Sequence, residues 1–199
     1  MTKHGATFGD AEIRSALRAR LLVEEADKAD TVVIEELGLC RGQVRVDLAV
    51  VNRMLHGFEI KSDRDSLRRL VDQVDLYSKV LDRATIVAGG RYLSEALAIV
   101  PCWWGVLGIQ PGPKEPRFTT VRRGRNNPSR DPRSLVELLW LDDAIALLAQ
   151  RDAARGVRGK PRRVVWDRVC EHFQVDEIAA TVRAHLRARA ARQVPARRS

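Results

Sequence analysis

The chain has 199 residues, of which 45% are hydrophobic and three are cysteines, and it carries a formal net charge of +9. That length suits one domain with a modest appendage, and no apolar run approaches the roughly 20 residues needed to span a membrane. The N-terminal MTKHGATFGDAEIR lacks the apolar stretch and cleavage pattern of a secretory signal. Cys40, Cys102 and Cys170, odd in number and without metal-ligand spacing, read as reduced, mostly buried thiols of a cytoplasmic protein.

In chain order, residues 10–28 place Ile13, Ala16, Leu17, Leu21 and Leu22 at helical spacing, with Asp10 as the expected N-cap. TVVIEELGL (31–39), QVRVDLAVV (43–51) and GFEIKS (57–62) read as three successive strands. Leu67, Leu70, Val71, Val74 and Tyr77 predict a helix over 64–81, followed by a strand at 84–89, a short helix at 93–99 and a strand at 103–109. The Pro-, Gly- and Arg-rich stretch 110–133 reads as a long loop holding one edge strand around 118–121. A strongly apolar helix over 134–150 with Ser134 as cap, helices over 161–173 and 176–192, and a disordered PARRS complete the chain. Early strands in direct succession and then a helical crossover predict a mixed α/β sheet. The expected organisation is a core over 1–133 with a helical, basic extension over 134–199 packed on it.

The stretch RVDLAVVNRMLHGFEIKS raises the question of function, because apolar strands normally exclude unpaired charges. Glu59 and Lys61 are two apart and share a face. In an antiparallel pair, Asp47 joins that face only through a loop with an odd number of residues, around Asn52–Met54 or Arg53–Leu55, or through a bulge, and NRMLHG permits an odd loop. Two carboxylates about 4 Å apart repel by about 4 kcal/mol at an effective dielectric near 20, so a proton, a lysine or a divalent cation must compensate. Oxygen-only donors with open positions suit Mg²⁺. Glu36 on the neighbouring strand would be a third carboxylate, with Glu35 on the opposite face. The same residues would also serve as a salt-bridged triad on a half-exposed sheet, and residue chemistry alone leaves both readings open.

Asp47 together with Phe58-Glu59-Ile60-Lys61 resembles the acid and E-x-K motif of the PD-(D/E)XK nuclease superfamily. Gln73-Val74-Asp75-Leu76-Tyr77 resembles the Q-x-x-x-Y of its RecB-like and resolvase-like branches, and the likeness to a bacterial subfamily extends through PCWWGVL and SLVELLW. The resemblance implies a restriction-endonuclease-like αβββαβ core over about residues 10–90. It implies that Asp47 and Glu59, helped by the Ile60 carbonyl and by Glu36, bind Mg²⁺ (with Mn²⁺ able to substitute), and that Lys61 serves the nucleophilic water. Glu24 or Glu25 of the first helix is the alternative to Glu36. Gln73 and Tyr77, on one helix face, would orient the lysine or a phosphate. No proline precedes Asp47, a departure from the superfamily pattern. The implied activity is Mg²⁺-dependent hydrolysis of DNA in repair or defence. The alternative is a DNA-binding accessory that keeps the fold with little activity.

Binding residues are expected in two places. Arg68 and Arg69 sit where a helix N-terminus favours anions. Residues 151–199 hold 13 Lys and Arg against 5 Asp and Glu, while residues 1–150 hold 22 against 21. Arg183 and Arg187, with Arg189, Arg162 and Arg163, are therefore expected to track phosphates of a DNA partner. Trp103 and Trp104 are expected on opposite faces of one strand. His56 is expected in an exposed turn.

Overall fold

The Val- and Leu-rich run 32–61 folds as a three-stranded antiparallel meander in the computed structural model, which describes residues 8–28 and 30–193. β1 (Val32–Leu39) and β2 (Val44–Val51) are joined by a 3-10 turn at Cys40–Gly42, and β2 pairs with β3 (Leu55–Lys61). α2 (Leu70–Ser78) crosses to β4 (Arg83–Ala88), parallel to β3. α3 (Leu93–Ile99) makes a second crossover to β5 (Gly105–Gln110), parallel to β4, and β6 (Arg117–Arg122) closes the row antiparallel. The six strands lie in sequence order in one mixed sheet, and with α1 (Asp10–Glu24) the chain has the expected αβββαβ core.

Each face of the sheet has its own apolar layer. Ile13, Leu17 and Leu21, one stripe of α1, pack on Leu48, Val50, Phe58, Ile60 and Val87. On the other face Tyr77 of α2 and Trp104 join residues of the C-terminal helices α4 (Pro132–Val136), α5 (Leu141–Ala149), α6 (Arg162–His172) and α7 (Val175–Gln193). Leu135, Leu148, Val169 and Val182 share that cluster with Leu37, Val46 and Ile86. At about 1.5–3 kcal/mol for each buried large side chain, the C-terminal helices supply a substantial share of the burial on that face.

Local chemistry explains where the elements depart from the sequence pattern. The cap of α1 is Gly9, whose N–H donates to the Glu12 carboxylate at 2.7 Å, while Asp10 turns to Arg14. α2 begins at Leu70 rather than near 64 because Asp65 accepts from the Ser62 N–H and hydroxyl, both at 2.7 Å, which holds the intervening residues in turns. The apolar run 134–150 is two helices, not one. Asp131, not Ser134, caps the first, accepting from the Ser134 N–H at 2.7 Å, and Trp140 then breaks the run with extended backbone (φ −68°, ψ 156°). Trp103 and Trp104 precede β5 and enter the same core cluster, with ring centroids 5.8 Å apart. His56 lies within β3, stacked on Phe58 at 4.2 Å and hydrogen-bonded to the Thr85 hydroxyl. Cys40 is buried but Cys102 is exposed, and all three thiols are free. The PARRS segment lies outside the described residues.

One buried carboxylate ties the C-terminal helices to the core. Asp82 accepts from the Leu55 N–H at 2.7 Å, from Arg183 of α7 at 2.9 Å and from Arg130. Its own backbone binds Leu55 and Asn127, so the turn before β4, the arginine-rich loop and α7 meet at one residue. Asp82→Ala would leave the Arg183 guanidinium without its carboxylate and Arg130 with Asp176 alone, and breaking a buried pair of this kind costs about 3–5 kcal/mol. Urea unfolding should show that loss for Asp82→Ala, and a change within about 0.5 kcal/mol for Asp142→Ala at an exposed helix position.

Candidate functional site

The loop between β2 and β3 has three residues, Asn52–Met54, and the register pairs Leu48 with Phe58. Continued by one residue, that register sets Asp47 opposite Glu59. The same continuation between β1 and β2 sets Glu36 opposite Asp47, between the pairs Glu35–Leu48 and Leu37–Val46. Both strands are distorted there. Val44, Val46, Ala49 and Val51 all reach one apolar cluster while Leu48 and Val50 reach the other, so the alternation of β2 slips at Asp47–Leu48. Glu36 adopts φ +52°, a left-handed conformation that costs a non-glycine residue about 1–2 kcal/mol. Strain of this kind persists where the surroundings over-determine it, often at functional sites.

Asp47, Glu59, Ile60, Lys61, Gln73, Glu36 and Arg69 line one cavity of about 560 Å³. Glu59 and Lys61 are 3% and 5% exposed, and the Lys61 Nζ donates to Glu59 Oε1 at 2.6 Å. Gln73 donates to the same oxygen at 2.6 Å, and the Tyr77 hydroxyl lies 2.5 Å from Oε2 and 2.6 Å from the Arg45 carbonyl. The i, i+4 pair on α2 thus grips the acid of the strand rather than the lysine. Burial and the negative charge of Glu59 keep the Tyr77 phenol protonated, raising its pKa far above the usual value. The Gln73 Oε1 is buried with no partner among the described residues, an acceptor left open beside Glu59.

Asp47 is held differently. It accepts from the Ile60 N–H at 2.7 Å, so its carboxylate bridges the gap between β2 and β3, and Arg14 of α1 donates to it at 3.0 Å. Burial, then repulsion from Glu59, pushes its pKa up to about 7 despite the Ile60 and Arg14 contacts. Glu36 stands at the cavity edge, bound to Arg14. Glu35 pairs with Arg18. Glu24 and Glu25 line a separate cavity with His56 and Arg83, so the first helix contributes Asp10 and Arg14 to the site instead. Arg14 was not anticipated from the sequence; its signal is the i, i+4 spacing from Asp10, which also lines the cavity.

The expected binding residues divide. Arg69 borders the cavity at the start of α2, and Arg68 is exposed beside it. Arg183 and Arg187 are drawn into the fold. The former binds Asp82, and the latter donates to the Asn52 carbonyl at 2.7 Å. Holding β2, β3 and α7 together is what these two guanidinium groups do here, which removes them from a phosphate-tracking face.

Among the described residues, no three His, Cys, Asp or Glu side chains converge closely enough to form an ion cage, and no helix is long and apolar enough to cross a membrane. The model of a protein family described as "Bacteriophage P4 protein cII" matches residues 4–194. Protein cII of Enterobacteria phage P4 is 33% identical over 116 residues, which is 58% of this chain and 44% of that relative's own length. Among solved structures, a protein of unknown function from Silicibacter pomeroyi is 21% identical with a TM-score of 0.45, covering 73% of this chain and 93% of its own. SfsA of Pyrococcus furiosus, in complex with Ca²⁺, is 17% identical with a TM-score of 0.35, covering 62% of this chain and 68% of its own.

The charge of Asp47 makes a pH-dependent cost. An acid whose folded pKa lies near 7 and whose unfolded pKa lies near 3.8 binds more protons when folded across that window, so its contribution to stability falls as pH rises from about 4 to about 7. Relative to Asp47→Asn, the wild type should therefore lose stability between pH 4.5 and pH 7.5. Urea midpoints for the two proteins at both pH values check this, and a constant difference would contradict it.

Proposed function

The chain belongs to the bacteriophage P4 protein cII family, and from the geometry of its cavity we propose that it is a divalent-metal-dependent phosphodiesterase acting on DNA, of the PD-(D/E)XK nuclease kind. The observation that carries the reading is the convergence of Asp47, Glu59 and Lys61 in one cavity, with Glu59 buried and gripped by Gln73 and Tyr77. A half-exposed ornamental salt bridge would not need two further residues of another element to orient its acid.

The residues present fit Mg²⁺. Asp47, Glu59 and the Ile60 carbonyl are an oxygen-only donor set. Burial, then the charge of Glu59, raises the pKa of Asp47, so a cation between the two acids would favour their charged forms, and the open Gln73 Oε1 would accept from a water at the same place. Bound there, the ion would neutralise the two acids and polarise a phosphodiester oxygen. Lys61, fixed by Glu59, would orient the attacking water or stabilise charge developing on the phosphorus centre. Gln73 and Tyr77 are positioning residues acting through Glu59. Arg69, at the start of α2, would hold a flanking phosphate where backbone N–H groups already favour anions. Glu36 would assist from the edge of the cavity on release from Arg14.

A second reading has its own observation. Both lone pairs of Glu59 Oε1 are taken by Lys61 and Gln73, and Asp47 is already countered by Arg14. A closed network of this kind also suits a DNA-binding protein with the same fold and little turnover.

Incubation with labelled single-stranded, duplex and branched DNA in Mg²⁺ or Mn²⁺ separates the two. Cleavage is expected in wild type and absent in Asp47→Ala, with Lys61→Ala lowering turnover by a factor on the order of 10² or more at little cost in affinity. Millimolar Mg²⁺ should raise the melting temperature of the wild type and leave Asp47→Ala unchanged, because the ion binds only the native arrangement. Tight DNA binding with no cleavage and no Mg²⁺-dependent stabilisation would establish the second reading.

A further inference from the structure

We propose that Trp140, flanked by Arg189 and Arg192, is a platform on which an unpaired base of a single nucleic-acid strand stacks, with the adjoining phosphates held by the two arginines. The proposal rests on the reading above for what the strand is brought to, and it names a single strand as the form of the substrate. Trp103, Trp104 and Trp166 are 7%, 0% and 6% exposed, whereas Trp140 is 50% exposed. The guanidinium carbons of Arg189 and Arg192 lie 5.7 and 5.5 Å from its ring centroid.

A second tryptophan shows what a purely structural version looks like. Arg133 lies 5.0 Å from the Trp166 centroid, but Trp166 is buried and Arg133 is paired with Asp167 and Glu137. Arg189 and Arg192 are exposed and in no ion pair among the described residues. Two like charges are thus gathered at a ring that is itself half open to water. A polyanion bearing flat apolar rings resolves both costs: its phosphates offset the paired positive charge and a base covers the indole.

The ring is held from within. His185 lies edge-on to it at 5.0 Å and 76°, and donates its Nδ1–H to Asp143 at 2.8 Å. The imidazole side chain is only 2% exposed, and its Nε2 has no partner among the described residues. A Trp fixed in this way loses little rotamer freedom on binding, which is what an efficient stacking surface requires.

One arginine of the platform is linked by a groove to the edge of the candidate site. Arg189 borders a groove between β1 and α7 with Leu186, Leu138 and Glu36, and Glu36 lines the Asp47–Glu59 cavity as well. A strand lying in that groove would pass from Arg189 towards Glu36 at the edge of the cavity. In a duplex each base face is covered by its neighbours, so a stacking platform selects unpaired bases.

The test titrates the full chain, without divalent cation, with 12-nucleotide oligo(dT), oligo(rU) and a 12-base-pair duplex, following tryptophan fluorescence and anisotropy. Either single strand should quench the fluorescence and bind more tightly than the duplex. Trp140→Ala should weaken single-strand binding by about 5- to 150-fold, the usual worth of one stacked base, and Trp140→Phe should retain most of it. Should Trp140→Ala fail to fold, Arg189→Gln with Arg192→Gln decides, since it should flatten log K against log salt by about 0.7 per arginine. The titration holds no divalent cation and reads binding alone, whereas cleavage by the wild type in Mg²⁺ is read separately, so failure of the hydrolytic reading and failure of the platform are told apart. Duplex binding as tight as single-strand binding, or wild-type affinity and salt slope in the double arginine variant, would overturn the proposal.

Discussion

A carboxylate buried to 3% exposure needs donors, and Glu59 has three: Lys61, Gln73 and the Tyr77 hydroxyl. Isolated, that charge would cost several kcal/mol to desolvate. The requirement couples the strand to the helix. α2 must run at an angle that brings Gln73 and Tyr77 over β3, and Tyr77 in turn stacks on Trp104 with centroids 5.9 Å apart. The polar cluster is therefore continuous with the main apolar layer, and the orientation of the acid depends on the packing beneath it.

The C-terminal helices serve the same architecture from the same face of the sheet. They bury Leu135, Leu148, Val169 and Val182 against the sheet and fasten α7 through Asp82 and Asn52. This explains why a segment with so large a positive excess does not present all of it to solvent. Arg151 binds Glu177, Arg183 binds Asp82, Arg187 binds the Asn52 carbonyl, and the charge that remains gathers elsewhere, notably at Trp140.

Between these two centres lies the distortion of β1 and β2. An undistorted ladder would keep Val46 and Ala49 on opposite faces; here both reach the same layer, with Glu36 in a left-handed conformation across the strand. The slip frees Asp47 to accept the Ile60 N–H and meet Arg14, and so to sit between two strands. Strain in the backbone thus positions an acid whose proton affinity is already raised by burial and then by its neighbour.

Much of this was legible in the residues because it depends on local periodicity. The period of two placed Glu59 and Lys61 on one face, and parity demanded the odd loop that Asn52–Met54 provides. The period near 3.6 put Gln73 and Tyr77 on one side of a helix, and three strands in direct succession before a helix predicted a mixed sheet. The sequence did not reveal partners that only folding brings within reach. Arg14 meets Asp47 across 33 positions and Arg183 meets Asp82 across 101, and no window of sequence contains both members of either pair. Arg183 and Arg189 look alike in composition, yet one faces a buried carboxylate and the other an open indole, because α7 turns one side to the sheet and the other to water. The break at Trp140 has no Pro or Gly to announce it; only the extended backbone of the folded chain shows it. Local pattern determined which side chains face together, while the assembled core decided which charges are neutralised and which remain available.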